Sequence, residues 1–258
     1  SLDRRQRQMC IRDRLEKMKY PDTKKEAIEE RLFGELIEDP YRWLEDFTDE
    51  SVISWVEKQN NFTNKFLENE FQKRIKKDLK DIWITEDISI PFRRGDKTFY
   101  FFSDGKKQQA VFMMEDCINC NPEVILDPNE FSEDGTVSLS DISVSPDGEY
   151  IAFSISDGGS DWKTWKVLDI KERKETDDLI RWSKFSYATW ESDSSGFYYQ
   201  KYQQPDEVLS DINRSPQLFF HRLGDKQDED TLIYEDKENP DFSWSVNVPE
   251  KGSYRILS

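Results

Sequence analysis

The first third of the chain has apolar residues at the spacing of amphipathic helices. Thr48 or Asp49 can serve as an N-cap, and apolar positions then recur near helical spacing as far as Glu68. A second run places its apolar residues at i, i+4, i+8 and i+11, with Lys and Arg on the other face: Phe71, Ile75, Leu79 and Ile82. The pattern therefore predicts two helices before Pro91.

Beyond Pro91 the period changes to that of β-strands. Short aromatic or β-branched runs at residues 98–102, 111–114 and 150–155 alternate with turns rich in Gly, Asp and Asn. Turn glycines recur with separations of 53, 48 and 56 residues, at Gly95, Gly148, Gly196 and Gly252. A period of about 50 residues is typical of β-propeller blades, and each glycine is expected in a hairpin between two blade strands.

About three such repeats do not close a propeller ring. Each blade covers its faces with neighbouring blades, so an incomplete set leaves an unpaired edge. The chain also ends in an apparent strand, at residues 254–258. The sequence therefore predicts a mainly β fold: a truncated propeller preceded by an N-terminal helical segment.

The expected domain organisation has three parts. Residues 1–17 are basic, lack apolar periodicity and precede Met18, a candidate natural start, so they are expected to be a non-native or disordered leader. Residues 18–88 are expected to form the N-terminal helical segment. Residues 89–258 are expected to form the first blades of the incomplete propeller.

Composition indicates a folded chain and limits the classes of partner that it can be expected to bind. Aromatic residues make up 14% of the 258 residues, which argues against disorder in spite of 35% charged residues. Lys and Arg number 37 against 54 Asp and Glu, a net charge of -17, so neither nucleic acid nor a membrane surface is an expected partner. Because the chain has no apolar run that could span a bilayer and no signal-peptide segment, a cytoplasmic location is predicted, with export as the alternative if the true N-terminus is missing.

The cysteines carry no predicted chemistry. Cys10, Cys117 and Cys120 cannot form a fully paired set and suit a reducing compartment. Cys117 and Cys120 are expected as reduced thiols in a strand connection. A zinc site would need two further ligands that the sequence does not place nearby, so no metal and no cofactor is predicted.

Two motifs near the N-terminus resemble a known family. Residues 39–46 read DPYRWLED and residues 55–60 read WVEKQN, which is similar to the N-terminal signature of the prolyl oligopeptidase family. Further matches follow in the family's order: Gly105 with the Gln108-Gln109 pair, LDPN at 126–129, DGTV at 134–137, SDW at 160–162 and KFS at 184–186. The resemblance covers roughly residues 20–257, with Phe33-Gly34 in place of the family's usual His-Gly pair.

The resemblance implies a fold and an activity for a longer parent protein. The family's plan is an α/β-hydrolase domain capped by a seven-bladed β-propeller, with an N-terminal helical segment that packs on the hydrolase domain. Such enzymes cleave short proline-containing peptides after proline by acyl transfer, and the propeller restricts access to small peptides. By the same resemblance, the Ser-Asp-His triad is expected in the C-terminal hydrolase domain, beyond the end of this chain.

The resemblance also implies one substrate-binding residue. Phe185 matches a loop residue that contributes an aromatic wall to the family's substrate pocket, with blade core as the alternative for an aromatic residue in a strand-rich segment. The segment Phe242-Ser243 aligns near the same pocket with a poorer match. Tyr41, Trp43 and Leu44 are expected to anchor the N-terminal segment to the hydrolase domain.

No catalytic residue is predicted within the chain. Its sole histidine, His221, lies in an aromatic strand, and the sequence contains no Gly-x-Ser-x-Gly nucleophile elbow. The adjacent carboxylates at Asp177-Asp178 and at residues 228–230 are expected in solvated loops.

Two other functions stay open at this point. A stand-alone β-rich interaction module would fit the repeat period and the acidic composition, but it would need a closed, stable fold. A fragment of the sister oligopeptidase B family would share the architecture. The many motifs of the prolyl type favour the prolyl oligopeptidase hypothesis.

Overall fold

The structure, a computed structural model, describes residues 20–117, 120–205, 213–249 and 254–258. Residue contacts divide the chain into two units at the boundary between Ile82 and Trp83. The first unit contains a β-hairpin and the helices, and the second contains the blades.

Both helices predicted by the apolar spacing are present in the first unit. Helix α1 spans Glu50–Leu67, and the side chain of Asp49 caps it by accepting the Ser51 N–H at 2.7 Å. Helix α2 spans Glu70–Trp83, and the Asn69 side chain accepts the Gln72 N–H at 3.0 Å. Each polar cap satisfies a backbone donor that the first turn of a helix leaves without a partner.

The structure adds a hairpin that the sequence pattern did not indicate. Strands β1 (Glu29–Leu32) and β2 (Glu35–Glu38) pair in antiparallel register across a two-residue turn. Both turn residues have positive φ, 50° at Phe33 and 88° at Gly34, as a type I′ turn requires. Phenylalanine is an unusual residue in such a turn, so the turn signal is weak in the sequence.

The DPYRWLED motif forms contacts within its own unit. Residues Arg42–Glu45 form a 3₁₀ turn, from which the Arg42 guanidinium bonds Asp39 at 3.0 Å and Glu30 of the hairpin at 2.5 Å. The Trp43 ring contacts the Trp55 ring of α1 edge-to-face, with centroids 6.5 Å apart. The motif therefore ties the hairpin and α1 together.

The first blade of the second unit is an antiparallel sheet whose first strand is broken. Its strands are β3 (Asp87–Ile88), β4 (Phe92–Arg94), β5 (Lys97–Ser103), β6 (Val111–Glu115) and β7 (Glu123–Leu126). Both β3 and β4 pair with β5, and Pro91 lies between them. Proline has no N–H to donate to a sheet, which explains a break at this point.

The second and third blades are joined in one sheet. The second comprises β8 (Val137–Val144), β9 (Tyr150–Asp157), β10 (Lys163–Asp169) and β11 (Lys174–Ser183). The third comprises β12 (Thr189–Trp190), β13 (Gly196–Lys201), β14 (Gln217–Arg222) and β15 (Thr231–Tyr234). The strand pairing that joins the two blades, between β11 and β13, consists of one residue pair, Ser183 with Lys201.

A further hairpin begins a fourth blade, with β16 (Val246–Asn247) paired to β17 (Ile256–Leu257). Gly95 and Gly148 lie in the turns that join the first two strands of their blades, and Gly196 begins the second strand of the third. Gly252 lies outside the described residues. The described strands form no closed ring, so the predicted partial propeller is confirmed.

Apolar side chains fill the spaces between successive blades. One core joins the first two blades around Phe99, Phe112 and Phe153. A second joins the next pair around Trp165 and Phe197. Burial between the blades explains why a single blade would not be stable on its own.

The expectation of reduced thiols at Cys117 and Cys120 is wrong. They form a disulfide in the connection between β6 and β7, with their Cα atoms 5.2 Å apart, a separation that such a bond requires. The chain reversal between two antiparallel strands brings the two residues together. The cysteine argument for a reducing compartment therefore fails, and the cytoplasmic location stays a prediction.

Candidate functional site

Phe185 lies on the surface of the second unit, in the loop of residues 184–188 between β11 and β12. Phe185 is 61% exposed and Tyr187, two residues on, is 72% exposed. Phe185 has a φ of 52°, a left-handed conformation that is uncommon for residues with a large side chain. Phe185 therefore does not lie in the core of the described blades.

Buried polar groups hold this loop in place. The Ser186 hydroxyl accepts the Gln200 backbone N–H at 2.7 Å, and Ser186 and Gln200 are both buried. The Gln200 side chain donates to the Lys184 carbonyl at 3.4 Å, and the Lys163 ammonium donates to the Ser186 carbonyl at 3.3 Å. Because these bonds fix the backbone, the strained conformation of Phe185 persists and its ring faces solvent.

Two lysines place their ammonium groups over the aromatic rings of this region. The Lys184 Nζ atom lies 5.2 Å from the ring centre of Trp162 and 5.3 Å from that of Phe185. The Lys163 Nζ atom lies 5.6 Å from the ring centre of Tyr187. These distances are those of cation–π contacts, which give the loop a positive as well as an aromatic character.

A cavity of about 600 Å³ opens beside the loop. Phe185 and Tyr187 are among the residues that line it, and so are residues 243–246. Ser243 is therefore brought together with Phe185, as the weak sequence match suggested, whereas Phe242 does not line the cavity and is exposed.

His221 is buried in β14 between two carboxylates. Its Nε2 atom lies 2.8 Å from Asp178 of β11, and its Nδ1 atom lies 2.7 Å from Asp230. Both aspartate side chains are also buried, so the expectation that these acidic pairs lie in solvated loops is wrong for Asp178 and Asp230. The separations in sequence are 43 and 9 residues, which explains why adjacency did not reveal the cluster.

The electrostatics of this cluster favour a charged imidazole. Burial alone lowers the pKa of His221, but hydrogen bonds to Asp178 and Asp230 outweigh burial and raise the pKa to about 9. Burial raises the pKa of Asp178, while bonds from His221, Thr176 and the Gly224 N–H hold it below its ordinary value. With both ring nitrogens engaged, His221 is a structural group and is not placed as a catalytic base.

The described residues contain no group of three or more His, Cys, Asp or Glu side chains that could hold a metal ion. Across those same ranges, no helix has the length and apolar character needed to cross a membrane.

Sequence reasoning missed Tyr187, Lys163 and Lys184 as parts of the site. Tyr187 follows the KFS motif directly, so an aromatic residue just after Phe185 was the available signal. Lys163 comes next to the loop because it pairs with Ser183 in the register of β10 and β11, which no local pattern reveals.

Comparisons with known proteins agree with this architecture. The prolyl endopeptidase of Elizabethkingia miricola is 40% identical over 244 residues, covering 93% of this chain and 34% of that protein. Prolyl oligopeptidase A of Galerina marginata is 32% identical over 250 residues, covering 86% of this chain and 34% of its own length. The chain thus spans about a third of the length of these curated relatives.

Solved structures show the same similarity. One from a study of two prolyl endopeptidases superposes with a TM-score of 0.85 at 29% identity, over 93% of this chain and 36% of that chain. Prolyl oligopeptidase B of Galerina marginata, bound to a 35mer hydrolysis and macrocyclization substrate, gives a TM-score of 0.79 at 25% identity, over 92% and 36%. The family model for the prolyl oligopeptidase N-terminal β-propeller domain matches residues 20–258. The chain therefore belongs to the prolyl oligopeptidase family and corresponds to its N-terminal β-propeller region.

Proposed function

We propose that this chain is the N-terminal part of a serine peptidase that cleaves short peptides after proline. The observation that carries the proposal is the family match over residues 20–258, together with relatives named prolyl endopeptidase and about three times longer. Catalysis then belongs to a hydrolase domain outside this sequence. The chain by itself is inactive, because its sole histidine is held between two aspartates and it has no nucleophile elbow.

The propeller in this proposal controls which peptides reach the catalytic domain. A cavity of about 510 Å³ runs beside the first strands of successive blades, bordered by Arg94, Val144, Trp190 and Val248. Propeller blades surround a central channel, and in this proposal the cavity forms part of the wall of that channel. A channel of this kind admits a short extended peptide and excludes a folded protein.

Phe185 supplies an aromatic wall for the substrate. Its ring is exposed on a loop whose backbone is held by buried Ser186 and Gln200, so the contact surface is fixed before a peptide arrives. Aromatic rings offer large apolar area at little loss of conformational entropy, which suits recognition of a peptide with a proline ring.

The N-terminal unit packs on the hydrolase domain. Helix α2 has an apolar stripe that is exposed in this chain, formed by Phe71, Ile75, Leu79 and Ile82. Exposed apolar stripes of this size usually mark a surface that another domain covers.

The experiment that tests the proposal compares two products of the source gene. The complete open reading frame and the 258-residue chain are expressed, and both are assayed with a fluorogenic peptide that contains proline and with its alanine counterpart. We expect cleavage after proline by the long form alone. A stop codon after Ser258 with a cooperatively folded short product would contradict the proposal and favour a stand-alone interaction module.

A further inference from the structure

Two lysine ammonium groups lie over aromatic rings at the exposed loop of Phe185 and Tyr187. Lys184 approaches the rings of Trp162 and Phe185, and Lys163 approaches the ring of Tyr187. We propose that Lys163 and Lys184, with the rings of Phe185 and Tyr187, form a binding site for a peptide carboxylate, which gives the enzyme a preference for acidic peptides. This inference rests on the proposed function, because the peptide is its substrate.

The donors of this site are available to a ligand. A lysine ammonium has three N–H donors, and the Ser186 carbonyl takes one from Lys163. Among the residues that the structure describes, the carboxylate oxygen nearest to Lys184 belongs to Asp161 and lies 3.7 Å away, beyond an ordinary hydrogen bond, and that aspartate side chain is largely exposed. Either lysine can therefore donate to a peptide carboxylate without first breaking a buried ion pair.

The lysines are also held in position. Lys184 has a side chain only 14% exposed, with its ammonium near two ring faces, which restricts its rotamers and removes part of its hydration. Lys163 is fixed by its strand and by its bond to Ser186. Less conformational entropy is then lost when a carboxylate binds than at a mobile surface lysine.

The surrounding charge sharpens the selectivity. The chain as a whole carries a net charge of -17, which repels an acidic peptide at most of its surface. The local positive charge therefore selects where an acidic peptide docks, while the exposed rings take its apolar side chains.

A direct binding experiment uses the 258-residue chain and three acetylated pentapeptides. Two end in an amide and read Ala-Xaa-Gly-Pro-Ala, with Xaa as Glu or Gln; the third is the Gln peptide with a free C-terminal carboxylate. Titration calorimetry at low salt is expected to show about tenfold tighter binding of at least one carboxylate peptide than of the amidated Gln peptide. In 0.5 M salt the difference in affinity should fall below about twofold, because salt screens exposed charges. The peptide that gains identifies the side chain or the C-terminus as the source.

Variants assign the effect to the lysines. Lys163→Gln and Lys184→Gln are each expected to reduce the preference at least about threefold, since each removes one charged donor. Lys166→Gln is the matched control, because Lys166 lies on the same strand and pairs with Glu175 instead. The control is expected to keep the full preference.

Kinetics of the long form separate this inference from the proposed function. If the long form cleaves the Glu and Gln peptides after proline with equal kcat/KM, and the short chain binds all three equally, the carboxylate site is wrong and the proposed function stands. If neither peptide is cleaved but a carboxylate preference is measured in binding and is lost in the lysine variants, the site stands and the proposed function fails.

Discussion

His221 connects two blades through charge. Asp178 comes from the last strand of the second blade, whereas His221 and Asp230 come from the third. All three side chains are buried, and Asp230 also accepts a bond from the Tyr199 hydroxyl at 2.6 Å. Removal of one member would leave an unpaired charge in the interior, which is strongly destabilising.

Stability is therefore expected to depend on pH through His221. Its pKa is about 9 in the folded chain against an ordinary value of 6.5, so its contribution is fully present below about pH 6.5 and is lost as pH rises through about 9. Asp178 acts in the opposite direction: its pKa lies below the ordinary 3.8, so its contribution is lost as pH falls through the acid range. Urea unfolding at pH 6.5, 8 and 9.5 measures the alkaline loss.

The variant His221→Gln supplies the control for that measurement. It is expected to lower the free energy of unfolding at pH 6.5 by about 3 to 5 kcal/mol, the usual result of breaking a buried ion pair. The loss between pH 6.5 and 9.5 should also become smaller. An equal alkaline loss in the variant would show that other groups cause it.

Phe185 is expected to matter for substrate and little for stability. Because its side chain is exposed, Phe185→Ala should change the free energy of unfolding by less than about 0.5 kcal/mol. In the long form the same change should lower kcat/KM for a proline peptide about tenfold, which corresponds to about 1.4 kcal/mol. Phe242→Ala is the matched control, as Phe242 is also exposed but does not line the cavity. Equal effects of the two changes would remove Phe185 from the site.

At the scale of elements, the hairpin turns of successive blades contact one another. The Gly95 N–H donates to the Pro146 carbonyl at 3.1 Å, and the Asp147 N–H donates to the Ser194 hydroxyl at 3.3 Å. A Cβ atom on Gly95 would lie 2.1 Å from the Asp147 carbonyl oxygen, which is backbone and has little freedom to move. The position thus requires glycine for contact between blades as well as for its turn.

Gly95→Ala is expected to destabilise the chain more than a glycine substitution without such a neighbour. Gly158→Ala is the control, because Gly158 also has a positive φ, of 58°, but has open space around it. The control should cost about 1 to 2 kcal/mol for its backbone conformation. Gly95→Ala should cost about 1 to 3 kcal/mol more for the clash, as measured by denaturant unfolding. Equal losses of stability in Gly95→Ala and Gly158→Ala would mean that the close contact between the blade turns at Gly95 does not contribute to stability.

Many of the helices and strands could be predicted from the sequence. The helices follow from a local cap and local spacing, and the blades follow from glycines that recur because each turn approaches its neighbour. Hairpin β1–β2 could not be predicted, because its strands are four residues long and lack alternation. The Asp178–His221 contact and the position of Lys163 depend on strand register, and the disulfide depends on a chain reversal, so local patterns do not contain them.

At the scale of the whole molecule, the exposed apolar stripe of α2 should affect stability differently in this chain and in its proposed parent. Leu79 is 55% exposed here, so Leu79→Gln should change the free energy of unfolding of the 258-residue chain by less than about 0.5 kcal/mol. The proposed function places this stripe under the hydrolase domain in the long form, so there the same change should lower the free energy of unfolding by about 2 kcal/mol. Lys76→Gln, on the polar face of α2, should be neutral in both forms. A neutral Leu79→Gln in the long form would mean that the stripe stays uncovered.

The strands of the second blade serve two cores at once. Along β10, Val167 belongs to the core shared with the third blade, whereas Leu168 belongs to the core shared with the first. Alternation turns these neighbouring side chains to opposite faces, so the effects of Val167→Ala and Leu168→Ala should add to within about 0.5 kcal/mol. Phe131 and Phe153, 22 positions apart, have ring centres 5.9 Å apart and should instead show thermodynamic coupling. Strand β10 therefore contributes side chains to two separate cores. A mutation in it can change the packing between one pair of blades while the packing between the other pair stays unchanged.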